Sequence, residues 1–171
     1  MKLLIVANWK LNPASQREAK ELFKIVKKGV KSVKNVEVVI CPPFVYLPLF
    51  KDLTLGAQNV FYKEKGAFTG EISPLMLKDL KVEYVIVGHF EVRRYLNETD
   101  KIINKKIKEV LSVKLKPILC IGENTGQNKL KVLEKQITEA LKNISEKELE
   151  NIVIAYEPVW AIGTGKNCSV K

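Results

Sequence analysis

Six short runs of β-branched and apolar residues recur along the chain: LLIVANW (3–9), VEVVIC (36–41), LTLGAQN (53–59), VEYVIVGH (82–89), KPILCIG (116–122) and NIVIAYEP (151–158). Each is about as long as a strand, and most are too continuously apolar to keep one face in water, so they read as strands buried on both faces. Between most of them lie stretches of helical period. In SQREAKELFKIVKKGVKSV (15–33), Ala19, Leu22, Phe23, Val26 and Val30 recur at three and four, the apolar stripe of an amphipathic helix. Strand alternating with helix implies a parallel sheet with helices packed on it.

Two architectures fit that alternation, an open doubly wound sheet and a (βα) barrel. A barrel of eight units usually needs about 200 residues or more. With 171 residues and six strands, length favours the open sheet. Local chemistry favours the barrel, because polar or ionisable residues sit at the carboxyl ends of most strands: Asn8 and Lys10, Gln58 and Asn59, His89, Glu123, Glu157. A barrel gathers such residues into one mouth. No G-x-G-x-x-G follows the first strand, which weakens a dinucleotide-binding sheet further.

Apolar content of 46% and charged content of 28% suit a globular chain. No apolar run approaches the roughly 20 residues of a membrane span. LLIVA is followed at once by Asn8 and Lys10, too short and polar for a secretory signal, so a cytoplasmic protein without membrane attachment is expected. Three cysteines and a single histidine make no plausible zinc set. Cys41 and Cys120 read as buried thiols and Cys168 as a surface thiol. The formal charge of +10 raises the question of an anionic partner. Its lysines fall mostly inside helix-like stretches such as KIINKKIKEV (101–110) and KLKVLEKQITEALK (129–142), mixed with glutamates, the pattern of a solvated helix face. No basic run is interleaved with aromatics, and nucleic acid is not expected as a partner.

Asn8 and Lys10 flank Trp9, so in an extended segment their side chains point to one side, where a lysine could hold an anionic substrate. His89, taken alone, is compatible with a hydrogen-bonded structural histidine. Glu157 follows VIAY and precedes a proline. That places an acid at the rim of the core, either as a general base with a raised pKa or as a salt-bridged strand cap. The loop PVWAIGTGK (158–166) has stiff residues first and glycines at 163 and 165, the profile of a lid moving as a body between hinges.

Together, ANWKLN (7–12), AQN (57–59) with GAFTGEIS (66–73), VGHFEVRRYLNETD (87–100), CIGE (120–123) and YEPVWAIGTGK (156–166) resemble triosephosphate isomerases, in that family's order and spacing. The resemblance covers essentially the whole chain. It implies a TIM-type (βα) barrel over residues 1–171, incomplete, with about six of the eight units. It also implies interconversion of dihydroxyacetone phosphate and glyceraldehyde 3-phosphate through an enediol, with a phosphorylated triose as partner and no metal or cofactor. Glu157 matches the family's catalytic base and His89 its neutral electrophile, an assignment known for this enzyme and not read from these residues. Asn8 and Lys10 match the groups that hold substrate and developing oxyanion, Glu91 an acid of the same cluster, and Gly163 a lid glycine whose amide meets the phosphate.

The sequence departs from the family pattern in three places. Phe90 stands where a serine is usual. Val92 stands where an arginine is usual, so an ion pair expected with Glu98 is missing. The chain also stops after the lid, before two further units that supply phosphate contacts in the family. Losing two or three such contacts would remove roughly 4 to 7 kcal/mol, on the order of a thousandfold or more in kcat/KM, so weak or assembly-dependent catalysis is expected. The first and sixth strands would be open edges, and a homo-oligomer, a dimer or higher, is expected to cover them, with GAFTGEIS keeping the family's dimer contact. The alternative is a catalytically inactive structural or binding relic of the family.

Overall fold

Each of the six apolar runs forms a strand in the computed structural model, which describes residues 3–165 and 168. The strands are β1 (Leu3–Asn8), β2 (Val36–Cys41), β3 (Thr54–Ala57), β4 (Val82–Val87), β5 (Lys116–Ile121) and β6 (Val153–Tyr156). All neighbours pair in parallel and in chain order, and the sheet curls into a half-barrel, an incomplete TIM-type α/β barrel. The open doubly wound alternative requires a reversal of strand order at a switch point, and this order has none.

The helices are α1 (Gln16–Val30), α2 (Pro74–Asp79), α3 (Phe90–Tyr95), α4 (Asp100–Ser112), α5 (Lys129–Ala140) and α6 (Glu146–Leu149). Their starts are written in the sequence. Ser15, Thr99 and Asn128 accept first-turn N–H groups of α1, α4 and α5 at 3.3, 3.4 and 3.0 Å. Ser145 and Glu148 form a capping box on α6, and Pro74 follows the Ser73 cap of α2, where its missing N–H costs nothing.

Strand alternation splits the core in two. Val85, Val87, Leu119 and Ile121 face the helices, whereas Val39, Cys41, Tyr84, Ile86, Ile118 and Cys120 form a separate cluster on the concave face. Gly56 of β3 lets that face close, since a Cβ there would stand 2.4 Å from Cys41 Sγ. Cys41 and Cys120 are buried as expected, but Cys168 is half-buried and acts on the Tyr156 phenol, so it is not the plain surface thiol the sequence suggests.

The α1 stripe is narrower than its periodicity implies. Ala19 and Phe23 are buried, with Phe23 stacked on Phe50 at 4.2 Å, but Leu22 stays 38% exposed. The sheet edges are uncovered in the same way. On β1, Leu3 and Ile5 are 62% and 47% exposed; on β6, Ile154 and Tyr156 are 46% and 36% exposed. Among the described residues, no helix is long and apolar enough to cross a membrane.

Candidate active site

The carboxyl ends of β1, β4 and β6 bring Lys10, His89, Glu91 and Glu157 into one cluster. β1 stops at Asn8, and Lys10 takes a left-handed conformation (φ 55°). The extended geometry expected for this segment therefore ends one residue too early. The Asn8 side chain turns back on the chain, its Oδ1 accepting the Lys10 N–H at 2.9 Å. Gln58, from the end of β3, donates to the Lys10 and Cys41 carbonyls at 2.8 and 2.9 Å and locks this turn onto the sheet. So fixed, Lys10 Nζ reaches Glu91 Oε1 at 2.9 Å.

His89 caps the amino end of α3, its Nδ1 accepting the Glu91 N–H at 3.3 Å. Nδ1 also stands 3.2 Å from Glu91 Oε2, and Nε2 faces Glu157 Oε2 at 3.2 Å, so each ring nitrogen meets a carboxylate. Burial lowers the His89 pKa; the Glu91 carboxylate opposes the shift and Lys10 adds to it, so the imidazole is neutral at pH 7.

Glu157 follows β6, its N–H bonded to the Ile121 carbonyl at 2.8 Å. Gly122 makes that approach possible, because a Cβ there would lie 1.9 Å from the Glu157 carbonyl oxygen. The second carboxylate oxygen, Oε1, accepts the Phe90 N–H at 2.7 Å. Burial raises the Glu157 pKa to about 7, against the Phe90 N–H, Arg93 and Lys10, which lower it. An acid that exchanges its proton near neutrality, beside a neutral imidazole donor and an ammonium, is equipped to move a proton on carbon next to a polarised carbonyl.

Phe90 does not displace His89. Its ring lies 4.9 Å from the imidazole, and Lys10 Nζ stands 5.4 Å over it. Val92 brings no charge, and Glu98 is held instead by buried Lys106, with Asn59 Nδ2 donating at 3.2 Å. Glu98 Oε2 alone is buried without a hydrogen-bond partner among the described residues. Gly163 sits apart from the cluster, exposed in the lid at φ 71°.

Two residues that organise the site were not singled out from the sequence as site residues. Glu123, 4% exposed, accepts from Trp160 Nε1 at 2.8 Å and from the Tyr156 hydroxyl at 3.1 Å, and its carbonyl accepts the Val159 N–H at 3.1 Å. Burial pushes its pKa up, but these hydrogen bonds prevail and hold it below the ordinary value. Arg93 donates to the Gly88 carbonyl at 2.6 Å and the Cys120 carbonyl at 3.2 Å and pairs with Asp100 at 2.5 Å, fastening the ends of β4 and β5 to α4. Both stand inside quoted motifs, CIGE and VGHFEVRRYLNETD, but their partners are distant in sequence. Among the described residues, no three His, Cys, Asp or Glu side chains form a metal set.

The family model described as triosephosphate isomerase matches residues 3–171. Similar curated proteins, each named triosephosphate isomerase, include those of Clostridium tetani (44% identity, 98% of this chain, 69% of the relative) and Caldanaerobacter subterraneus (47% identity, 97% and 70%). A third, from Clostridium botulinum, is 48% identical over 97% of this chain and 70% of the relative.

Proposed function

This chain belongs to the triosephosphate isomerase family, and we propose that it interconverts dihydroxyacetone phosphate and glyceraldehyde 3-phosphate in the cytoplasm. In this reading the ionised Glu157 takes a proton from the carbon next to the substrate carbonyl. His89 donates its Nε2–H to the carbonyl oxygen, and the Lys10 ammonium balances the charge that develops there. The enediol formed receives the proton back from Glu157 on the adjacent carbon while the hydroxyl on the first carbon returns a proton to His89 Nε2 and becomes the new carbonyl, so carboxylate and neutral imidazole are both regenerated and no external acid or base is consumed. Asn8 acts by fixing the Lys10 backbone, and Glu91 by holding both Lys10 and the His89 cap. Gly163 would present its amide to the phosphate when the lid closes.

One observation carries the proposal: a buried carboxylate, its pKa raised to about 7 by burial, lies 3.2 Å from Nε2 of a neutral histidine. A coupled isomerase assay tests it. Turnover should fall by about a thousandfold or more in Glu157→Gln. Turnover that survives this change unreduced would assign the activity to something else.

The exposed apolar residues on β1 and β6, with Phe68 43% exposed in the loop at 66–73, support a homo-oligomer.

A further inference from the structure

A cleft of about 890 Å³ opens beside Glu157, between α3, the loop after β5, α5 and the lid, and its lining includes none of Asn8, Lys10 or His89. That volume lies within the range of small-molecule sites, about 300–1,000 Å³. Part of the wall is apolar and aromatic, from Phe90, Val132, Trp160 and Ile162. Arg94 and Lys135 also line it, and neither has a carboxylate partner among the described residues; the contact of the Arg94 guanidinium is with the Tyr95 ring at 5.6 Å. Arg93, the remaining cation, is already balanced by Asp100 at 2.5 Å. The cleft thus offers two uncommitted positive charges beside an apolar wall.

We propose that this cleft is a second binding site, distinct from the one around Lys10, for a small organic anion with a flat or apolar body. Its anionic head, phosphate or carboxylate, pairs with Arg94 and Lys135 while the body packs on Phe90 and Trp160. Because Trp160 and Ile162 belong to the lid and Glu157 borders the same space, an occupant touches both the lid and the acid. It holds Glu157 on the Phe90 amide and opposes lid movement, and by reciprocity a ligand that closes the lid weakens the occupant. That consequence rests on the isomerase reading; the binding itself does not.

The test is a titration with phenyl phosphate, phthalate and inorganic phosphate, following the Trp160 indole N–H resonance, which Trp9→Phe identifies. It is run in the unaltered protein, in Lys10→Met, and in Arg94→Ala/Lys135→Ala, whose two changes fall on exposed side chains. The expected result is a saturable shift that persists in Lys10→Met and needs at least about tenfold more ligand in the double variant, with inorganic phosphate binding more weakly than the aromatic anions. Whichever of phenyl phosphate and phthalate binds more tightly identifies the head group. No saturable shift with either aromatic anion overturns the proposal. So does a shift lost in Lys10→Met and unchanged in the double variant, since the anion then lies in the substrate pocket. Absence of isomerase turnover leaves this titration untouched, so the two readings fail separately.

Discussion

Glu157 is buried against His89 and the Phe90 amide, and its pKa rises from 4.5 to about 7. Its effects on stability and on catalysis run in opposite directions with pH. The folded carboxyl holds its proton more tightly than the unfolded chain does, so its contribution to stability is complete below pH 4.5 and is lost as pH rises through 7. The loss amounts to at most about 3 kcal/mol. Urea midpoints at pH 5 and pH 8 should differ in the unaltered chain by more than in Glu157→Gln. Catalysis needs the ionised form, so kcat/KM should climb with an apparent pKa near 7. A flat profile across that range would remove Glu157 from the role of base.

The lid is joined to the sheet through Glu123, whose carboxylate accepts the Trp160 indole N–H and whose carbonyl accepts the Val159 N–H. Trp160 and Tyr156 both converge on Glu123, and each hydrogen bond to a charged group contributes about 1.5–3 kcal/mol. Glu123→Ala should free the Trp160 side chain while Val159 stays on the backbone carbonyl, red-shift Trp160 fluorescence and lower kcat at least about tenfold, with the Lys10–Glu91 pair untouched. α4 carries a comparable buried contact. Lys106 and Glu98 side chains are only 5% and 8% exposed, so Lys106→Ala leaves a buried carboxylate without its cation and should cost about 3–5 kcal/mol in urea unfolding. Helix starts were local signals, since Ser15, Thr99 and Asn128 each act on an N–H group three residues away. The network around Glu123 was not, because Trp160 lies 37 residues from it.

Two parallel edge strands, β1 and β6, bound the curled sheet, and both expose apolar side chains toward solvent. Unpaired strand edges with apolar flanks favour association. Sedimentation at micromolar concentration should show an oligomer, and Ile5→Lys together with Ile154→Lys should shift it toward monomer. A sharp monomer boundary in the unaltered chain would contradict assembly through these edges.

The alternation of strand and helix, the helix caps and the acid after β6 were set by the sequence alone, because each depends on period or on neighbours a few residues apart. Lys10 needed the fold. The expected extended geometry gave way to a left-handed turn held by Asn8 and Gln58, and the lysine reaches Glu91, 81 residues on. The protonation states of His89 and Glu157 needed it too. Both follow from desolvation, and which side chains lose their water is decided only when β1, β4, β5 and β6 close around them.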